Sequence, residues 1–521
     1  MAHMWGSGAV LRLCLLFGYS GLPIGDVVRS EAGKRALQRR AVAALSAAAA
    51  LASCCVAAGP AAASVAPYQG LDFVETWSHV VSRPGPVSTS SPMLAYLAGG
   101  PAVVVGSASG WVFAYNLATG GPVPGWPVAT MGHAEVRSTP SVAALVPGSP
   151  YTSVFMGVGG PAHPHLGGYE AFAPDGKVRW EVDADGPAKP RPVGVAASLA
   201  VGDLQGSTDV VAPSMGQYED AIDARTGKIL PGFPWFTSDS GFSTPALAPL
   251  HGRTTDIIGG SGQNAGLSFK VHYAQGGHLR VLSPTGNAGT GAPGGGLVCE
   301  LNTSQQVDSS PAVGPFLPGG QTGIAVGTGT YWPGASDTDM LFALTSGCQV
   351  AWQRKLDGAT ESSPALAALG GGPQLDVVEA TNNRAGGGSV YAFDGANGHL
   401  LWEAPAPGEV MGGVVTIDLG HGHQYAVATG TRGAEVIDGG TGAIVSVLEP
   451  YVGMQDCALV TKDPDGAVGL TLAGYDAYDQ GVVAHFELRG VPSAYVYSPG
   501  AWPMFHRDPQ LTGWSGTPVS A

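Results

Sequence analysis

The chain has 521 residues, of which only 12% are charged, and its formal net charge is −15. An acidic surface of this kind repels nucleic acid and anionic lipid, which argues against both as partners. A hydrophobic content of 44% excludes a disordered chain in spite of 81 Gly and 41 Pro, and short apolar runs between Gly/Pro turns point to an all-β protein.

The first segment differs in composition from the rest. Arg29, Lys34, Arg35, Arg39 and Arg40 form a basic stretch, an almost unbroken apolar run covers 41–58, and Ala61-Ala62-Ala63 follows. Basic, apolar and small-residue parts in this order make a secretory leader, expected over 1–63. Two cleavage points compete. Leu51-Ala52-Ser53-Cys54 has the form of a bacterial lipobox that would lipidate Cys54, whereas Ala61-Ala62-Ala63 suits ordinary cleavage. Arg39-Arg40 is also the dipeptide of a twin-Arg signal, but Ala41-Val42-Ala43 lacks the bulky pair that usually follows. Residues 1–28 precede the basic stretch, so the true start is open. The expected product is extracytoplasmic: a single domain over 64–521, touching membrane only through the leader or a lipid anchor.

From Ser90 onward one motif returns about every fifty residues, the period of a propeller or solenoid. Its starts are Ser90-Ser91-Pro92, Ser138-Thr139-Pro140, Ala197-Ser198, Ser243-Thr244-Pro245, Ser309-Ser310-Pro311, Ser362-Ser363-Pro364, Gly412-Gly413 and Asp456-Cys457. Each unit reads as four strands. The first is made of small residues, as in Ala246-Leu247-Ala248, and suits a crowded innermost position. The second is β-branched, as in Val103-Val104-Val105 and Val377-Val378. The third alternates, as in Trp111-Val112-Phe113-Ala114-Tyr115, giving each sheet side its own set of side chains. A tight turn follows with Gly at the position needing positive φ: Thr119-Gly120, Thr226-Gly227, Asn397-Gly398 and Thr441-Gly442. Trp126, Trp180, Trp235, Trp352 and Trp402 then fall on fourth strands, where they are expected to wedge adjacent sheets apart.

Eight such units predict an eight-bladed β-propeller, with seven blades as the alternative. A solenoid would need capping repeats. Here 74–80, with Trp77, reads as a fourth strand with no repeat before it, and the last unit has three clear strands ending at 482–488. The orphan strand is expected to close that last sheet.

The segment Ala392-Phe393-Asp394-Gly395-Ala396-Asn397-Gly398-His399-Leu400-Leu401-Trp402 resembles the tryptophan-docking repeat of the quinoprotein-like (PQQ-type) β-propellers, and 221–228 is a second copy. Residues 202–211 and Asp463-Pro464-Asp465-Gly466 resemble degenerate FG-GAP (integrin-type) repeats. Residues 502–513 resemble a tag of secreted propellers in the same superfamily, so the likeness covers roughly 70–515. That superfamily holds dehydrogenases, assembly lipoproteins and proteins of unknown role, so the resemblance implies fold more firmly than activity.

Its quinone-dependent dehydrogenases need calcium, a catalytic Asp and usually an adjacent Cys-Cys bridge over the cofactor. The only adjacent pair here, Cys54-Cys55, is in the leader. Beyond it stand Cys299, Cys348 and Cys457. A Cys299–Cys348 bridge and buried free thiols are both open readings. No cofactor is therefore expected, and pyrroloquinoline quinone least of all. Calcium is left open: Asp203, Gln205, Ser207 and Asp209 occupy alternate positions of an oxygen-rich loop. Gln and Ser replace carboxylates there, however, and Asp209, Asp256 and Asp376 read more simply as caps on the turn before the second strand. His163-Pro164-His165 and His421-Gly422-His423 lack a third metal ligand and read as loop residues.

In a four-stranded meander the links into the first strands and the second-to-third loops share one face, and those loops carry the variation. A ligand site is therefore expected at that axial mouth. Arg137, Asp308, Glu361 and Gln455 line it, beside Phe242 and Met411, with Tyr331, Trp332, Asn382 and Arg384 in the loops around it. A water-filled channel without a ligand is the alternative. The expected function is a non-catalytic, monomeric binding scaffold at the cell envelope with a protein or glycan partner; a quinone- or calcium-dependent dehydrogenase is the alternative. Mass spectrometry of the exported protein is expected to find residues before about Ser64 removed; a diacylglycerol adduct on Cys54 would select the lipobox, and an intact Met1 would contradict the leader.

Overall fold

The computed structural model describes residues 70–186, 189–262, 276–288, 294–370, 374–383, 387–420, 422–449, 453–516 and 519. The leader over 1–63, with Cys54, and two loop residues, Arg384 and His421, lie outside them.

Eight separate antiparallel sheets form the blades of a propeller. From innermost to outermost strand, blade 1 runs from Met93–Leu97 to Val128–Ala129, and blade 2 from Ser141–Ala143 to Val178–Gly186 with Lys189–Val193 added outside. Blade 3 runs from Ala200–Asp203 to Trp235–Phe236, blade 4 from Ala246–Ala248 to Leu297–Thr303, and blade 5 from Ala312–Leu317 to Val350–Lys355. Blade 6 runs from Ala365–Ala367 to Leu400–Pro405 and blade 7 from Val414–Asp418 to Ile444–Leu448. Blade 8 has Leu459–Lys462 innermost, and Phe73–Val80 supplies its outer strand, pairing with Gly481–Pro492 from Phe73↔Leu488 to Val80↔Val482. The ring is closed by the two ends of the domain, as the orphan strand predicts, and seven blades are excluded.

The recurring small-residue steps have a physical role at the axis. The amide of Ser91 donates to Thr139 Oγ1 of the next blade at 3.1 Å, that of Thr139 to Ser198 Oγ at 2.8 Å, that of Ser198 to Thr244 Oγ1 at 3.1 Å, and that of Thr244 to Ser310 Oγ at 2.9 Å. Between blades 8 and 1 the amide of Cys457 donates to Ser91 Oγ at 3.0 Å. Blade 7 has Gly413 in place of a hydroxyl, and there Ser363 N donates to the Gly412 carbonyl instead. The degenerate third, seventh and eighth starts are therefore true members of the ring.

The tryptophans lock the rim. The indole N–H of Trp77 reaches Leu117 O of blade 1, Trp180 reaches Ala224 O, Trp352 reaches Gly395 O and Trp402 reaches Gly439 O, all at 2.7–2.9 Å. Each indole also lies flat against the turn glycine of the next blade. A Cβ on Gly442 would stand 2.9 Å from Trp402, and Gly442 has a φ of +74°. That turn glycine is thus demanded both by its backbone and by the wedge. Trp126 departs from the pattern. It precedes the outer strand of blade 1, packs edge-on against Phe172 at 5.7 Å, and its indole N–H has no acceptor among the described residues.

Of the two readings of the cysteines, the bridge is the one formed: Cys299 and Cys348 are joined with Cα atoms 5.9 Å apart, tying the outer part of blade 4 to that of blade 5, and Cys457 is buried and free. Among the described residues no helix is long and apolar enough to cross a membrane.

Trp402 is buried, so Trp402→Ala should leave a cavity and lower stability by about 3–5 kcal/mol in chemical denaturation. Parent-like unfolding of that variant would contradict the wedge. Cys299→Ser with Cys348→Ser should cost about 2–4 kcal/mol through the loop it reopens, and a reducing agent should give the same loss in the parent.

Candidate functional site

The C-terminal segment runs along the innermost strands at the axis. Main-chain carbonyls of this segment accept amides from the innermost strands or their ends in seven blades. Gly500 O accepts from Ala368, Trp502 O from Thr416, Pro503 O from Val460, Pro509 O from Val142, Gln510 O from Val201, Thr512 O from Leu247 and Gly513 O from Val313. Residues 501–509 are all buried, including Arg507, whose guanidinium donates to the Trp514 and Pro499 carbonyls. Gly500 packs against Leu375 and Gln424, beside the first-to-second-strand turns, so the plug enters from the face opposite the links. The innermost strands of seven blades are therefore bonded to this segment, and the links stand at their other ends. Pro311, three residues after Asp308, meets this segment through its carbonyl, 2.9 Å from His506 Nε2.

The sequence places second-to-third loops on the same face as the links, and hydrogen bonds join the two. Gly159 N donates to Glu135 O at 2.7 Å, Trp332 N to Gln305 Oε1 at 2.8 Å, and Asn382 N to Ala359 O at 2.8 Å. Gln305 also donates from Nε2 to Trp332 O at 3.0 Å, which pins the loop carrying Tyr331 and Trp332 over the link between blades 4 and 5. The two rings meet edge-to-face at 5.2 Å, and Tyr331 is 54% exposed.

Asp308 and Glu361 stand in consecutive links, and the charge of Glu361 is felt at Asp308. Asp239, from the link between blades 3 and 4, adds its field to that of Glu361 at Asp308. Gln306 holds the cluster, donating from Nε2 to Asp308 Oδ1 at 2.7 Å. Burial first, then the two like charges, push the Asp308 carboxyl up to about 8, and burial pushes Asp239 up to about 6. Asp239 Oδ2 and Gln306 Oε1 are buried and have no hydrogen-bond donor among the described residues. Oxygen atoms left this way carry a desolvation cost that a cation would relieve.

The other expected mouth residues are placed differently. Arg137 pairs with Glu135 of its own link at 3.4 Å, so its ion-pair partner is local. Gln455 is half-buried. Its neighbour Asp456 is wholly buried with both carboxylate oxygens unpartnered among the described residues, and burial raises its pKa well above the ordinary range. Asn382 is buried and serves the mouth through its backbone, pairing with Ala359. Phe242 and Met411 are half-buried in their links. Asp239, Gln306 and Asp456 escape a reading that takes one residue before each first strand. Asp239 stands four before Ser243, next to Ser238 with a φ of +72°.

The oxygen-rich loop of blade 3 has the arrangement of a turn cap. Asp209 Oδ2 accepts the amides of Leu204 and Gln205, its Oδ1 accepts Ser207 Oγ at 2.7 Å, and Asp203 Oδ1 accepts Gly206 N at 2.7 Å. Gln205 turns away to donate to the Pro231 and Pro284 carbonyls. Asp256 and Asp376 accept the amides of His251 and Gly370 in the same way.

No protein-family model matches the sequence, and no curated protein does. Solved structures share the fold. The chain is similar to BamB from Moraxella catarrhalis, at 14% identity over 80% of this chain and 100% of that one, with a TM-score of 0.50. It is similar to a quinohemoprotein alcohol dehydrogenase from Pseudomonas putida HK5, at 14% identity over 80% and 76%, with a TM-score of 0.53. A europium-containing methanol dehydrogenase aligns at 11% identity over 80% and 93%, also at 0.53. At these identities the likeness defines the architecture alone: the chain shares the eight-bladed β-propeller fold of these structures.

The raised carboxyls make stability pH-dependent with a definite sign. Asp308, Glu170 and Glu379, each pushed to about 8, bind protons in the folded state that the unfolded chain releases near pH 4, so their contribution falls as pH rises from about 4 to about 8. Burial lowers His506 to about 4, which works the opposite way between about 4 and 6.5. Melting temperature should therefore drop between pH 6.5 and pH 8, and Asp308→Asn should make that drop shallower. An unchanged slope would mean that Asp308 is ionised in the folded protein at neutral pH.

Proposed function

We propose that this protein is a non-catalytic, extracytoplasmic β-propeller that binds the cationic group of a protein partner at its axial mouth. The observation that carries this reading is that Asp308 feels the like charges of Glu361 and Asp239 from the links on either side of its own, with Asp239 Oδ2 and Gln306 Oε1 left without donors among the described residues. A lysine or arginine side chain fits such a mouth. The acidic chain as a whole would draw a basic partner toward it. Tyr331 and Trp332, held beside the mouth by Gln305, offer an aromatic rim for the rest of the peptide. A neutral glycan remains compatible with the aromatic rim but leaves Asp239 Oδ2 without a donor among the described residues.

A fluorescein-labelled hexalysine peptide is a sufficient probe. It should bind at low salt, weaken as salt rises, and tighten from pH 6 to pH 9 as Asp308 ionises. The triple variant Asp239→Asn/Asp308→Asn/Glu361→Gln should lose at least about tenfold in affinity, a loss of about 1.4 kcal/mol. Unchanged affinity in a folded triple variant would move the site to the outer rim.

The alternative is a quinone- or calcium-dependent dehydrogenase. It draws on the fold shared with two dehydrogenases and on the oxygen donors of the mouth, which suit a hard cation. The residues fit the quinone poorly in one respect: the bridge formed, Cys299–Cys348, ties outer strands and lies away from the axis. A visible band on adding quinone with calcium would favour the enzyme.

A further inference from the structure

The closing blade carries a second group of ligating side chains, separate from the axial mouth. His485 and Glu487 are two residues apart on Gly481–Pro492, so their side chains share one face of the sheet. Asp463 follows the innermost strand and begins the turn to Gly466. One ligand atom from each of Asp463, His485 and Glu487 lies within 4.8 Å of the others. The room for the Asp463 carboxylate exists because Gly469, opposite Glu487, has no side chain: a Cβ there would collide with Asp463 and with Thr461 Oγ1.

Both inner ligands are oriented from behind. Thr461 Oγ1 donates to Asp463 Oδ1 at 2.7 Å, and Thr471 Oγ1 lies 2.8 Å from His485 Nδ1. A hydroxyl on the far ring nitrogen fixes the imidazole plane and aims Nε2 at Asp463 Oδ2, 2.9 Å away. Trp77 of the closing strand stacks on the imidazole at 5.3 Å and covers it, while Glu487 is partly exposed and leaves one side open to solvent.

We propose that Asp463, His485 and Glu487 form a site for a divalent metal of the zinc class at the seam where the ring closes. One imidazole with two carboxylates and an open position is a donor set zinc accepts. Without metal, Thr471 donates to Nδ1 and Nε2–H donates to Asp463. Binding displaces the Nε2 proton to Nδ1, the Thr471 hydroxyl turns to accept it, and Nε2 and the two carboxylates become ligands. No bond other than N–H is broken, and no electron is transferred. The competing explanation is a purely structural chain, Thr471–His485–Asp463–Thr461, of which Glu487 is no part.

Glu487→Gln therefore separates the two. With the purified full chain, cobalt(II) should give a visible d–d band that zinc abolishes, and zinc should raise the melting temperature. Glu487→Gln should leave the metal-free melting temperature unchanged and weaken cobalt binding at least about tenfold. His485→Ala should abolish the band; if that variant does not fold, Glu487→Gln still decides. Absence of both band and thermal shift at millimolar metal, or parent-like cobalt affinity in Glu487→Gln, would overturn the proposal.

Discussion

The propeller depends on what crosses from blade to blade at its axis. The sheets are separate, so no continuous ladder binds neighbours. The strand edges nearest the axis instead present amides that must find partners. A hydroxyl one blade on accepts them, as Thr139 does for Ser91 and Ser310 does for Thr244. The proline that follows most of these residues has no N–H, which removes a donor the ring could not satisfy. Ser, Thr and Pro thus recur at the unit starts for a hydrogen-bonding reason as well as for their small size. Where the hydroxyl is missing, at Gly413, a carbonyl takes over and the spacing is kept.

The amides further along the innermost strands are satisfied by the C-terminal plug. This accounts for the burial of residues 501–509 although they include His506, Arg507 and Asp508. Their polar atoms bond to the plug itself and to Pro311, Asp508 through Gln510 and Thr512. The backbone pays locally, with His506, Arg507 and Leu511 in the left-handed region, where non-glycine residues are strained. The functional consequence is directional. The segment enters beside the first-to-second-strand turns, which leaves the links and the variable loops on the opposite face.

Acidic residues have two fates in this fold. At the turns before second strands, Asp209, Asp256 and Asp376 spend their oxygens on backbone amides and stabilise the meander. In the links around the mouth, Asp239, Asp308 and Asp456 are held in a low-dielectric setting with fewer donors, and burial raises their pKa values. Glu170, Glu219 and Glu379, on strands, are likewise buried with one carboxylate oxygen lacking a donor among the described residues. The seam of blade 8 is different again, because Asp463 there has both a hydroxyl and an imidazole beside it.

Much of the architecture was legible in the sequence because it is periodic. Repeating Ser/Thr-Pro steps, Thr-Gly turns and tryptophans each answer a local need that recurs in every blade, so Trp402 and Gly442, or Trp77 and its strand, could be assigned from spacing alone. The mouth was only half legible. Asp308 and Glu361 precede their first strands in register, whereas Asp239 stands four before Ser243, next to Ser238 with a φ of +72°, and Arg137 answers to Glu135 beside it. The plug was invisible to periodicity because it joins segments far apart in the chain, Val142 with Pro509, and the seam cluster because its members, within one blade, are covered by Trp77 from the other end of the domain. Local chemistry determined the blades; only closure of the ring decided which side chains face one another across it.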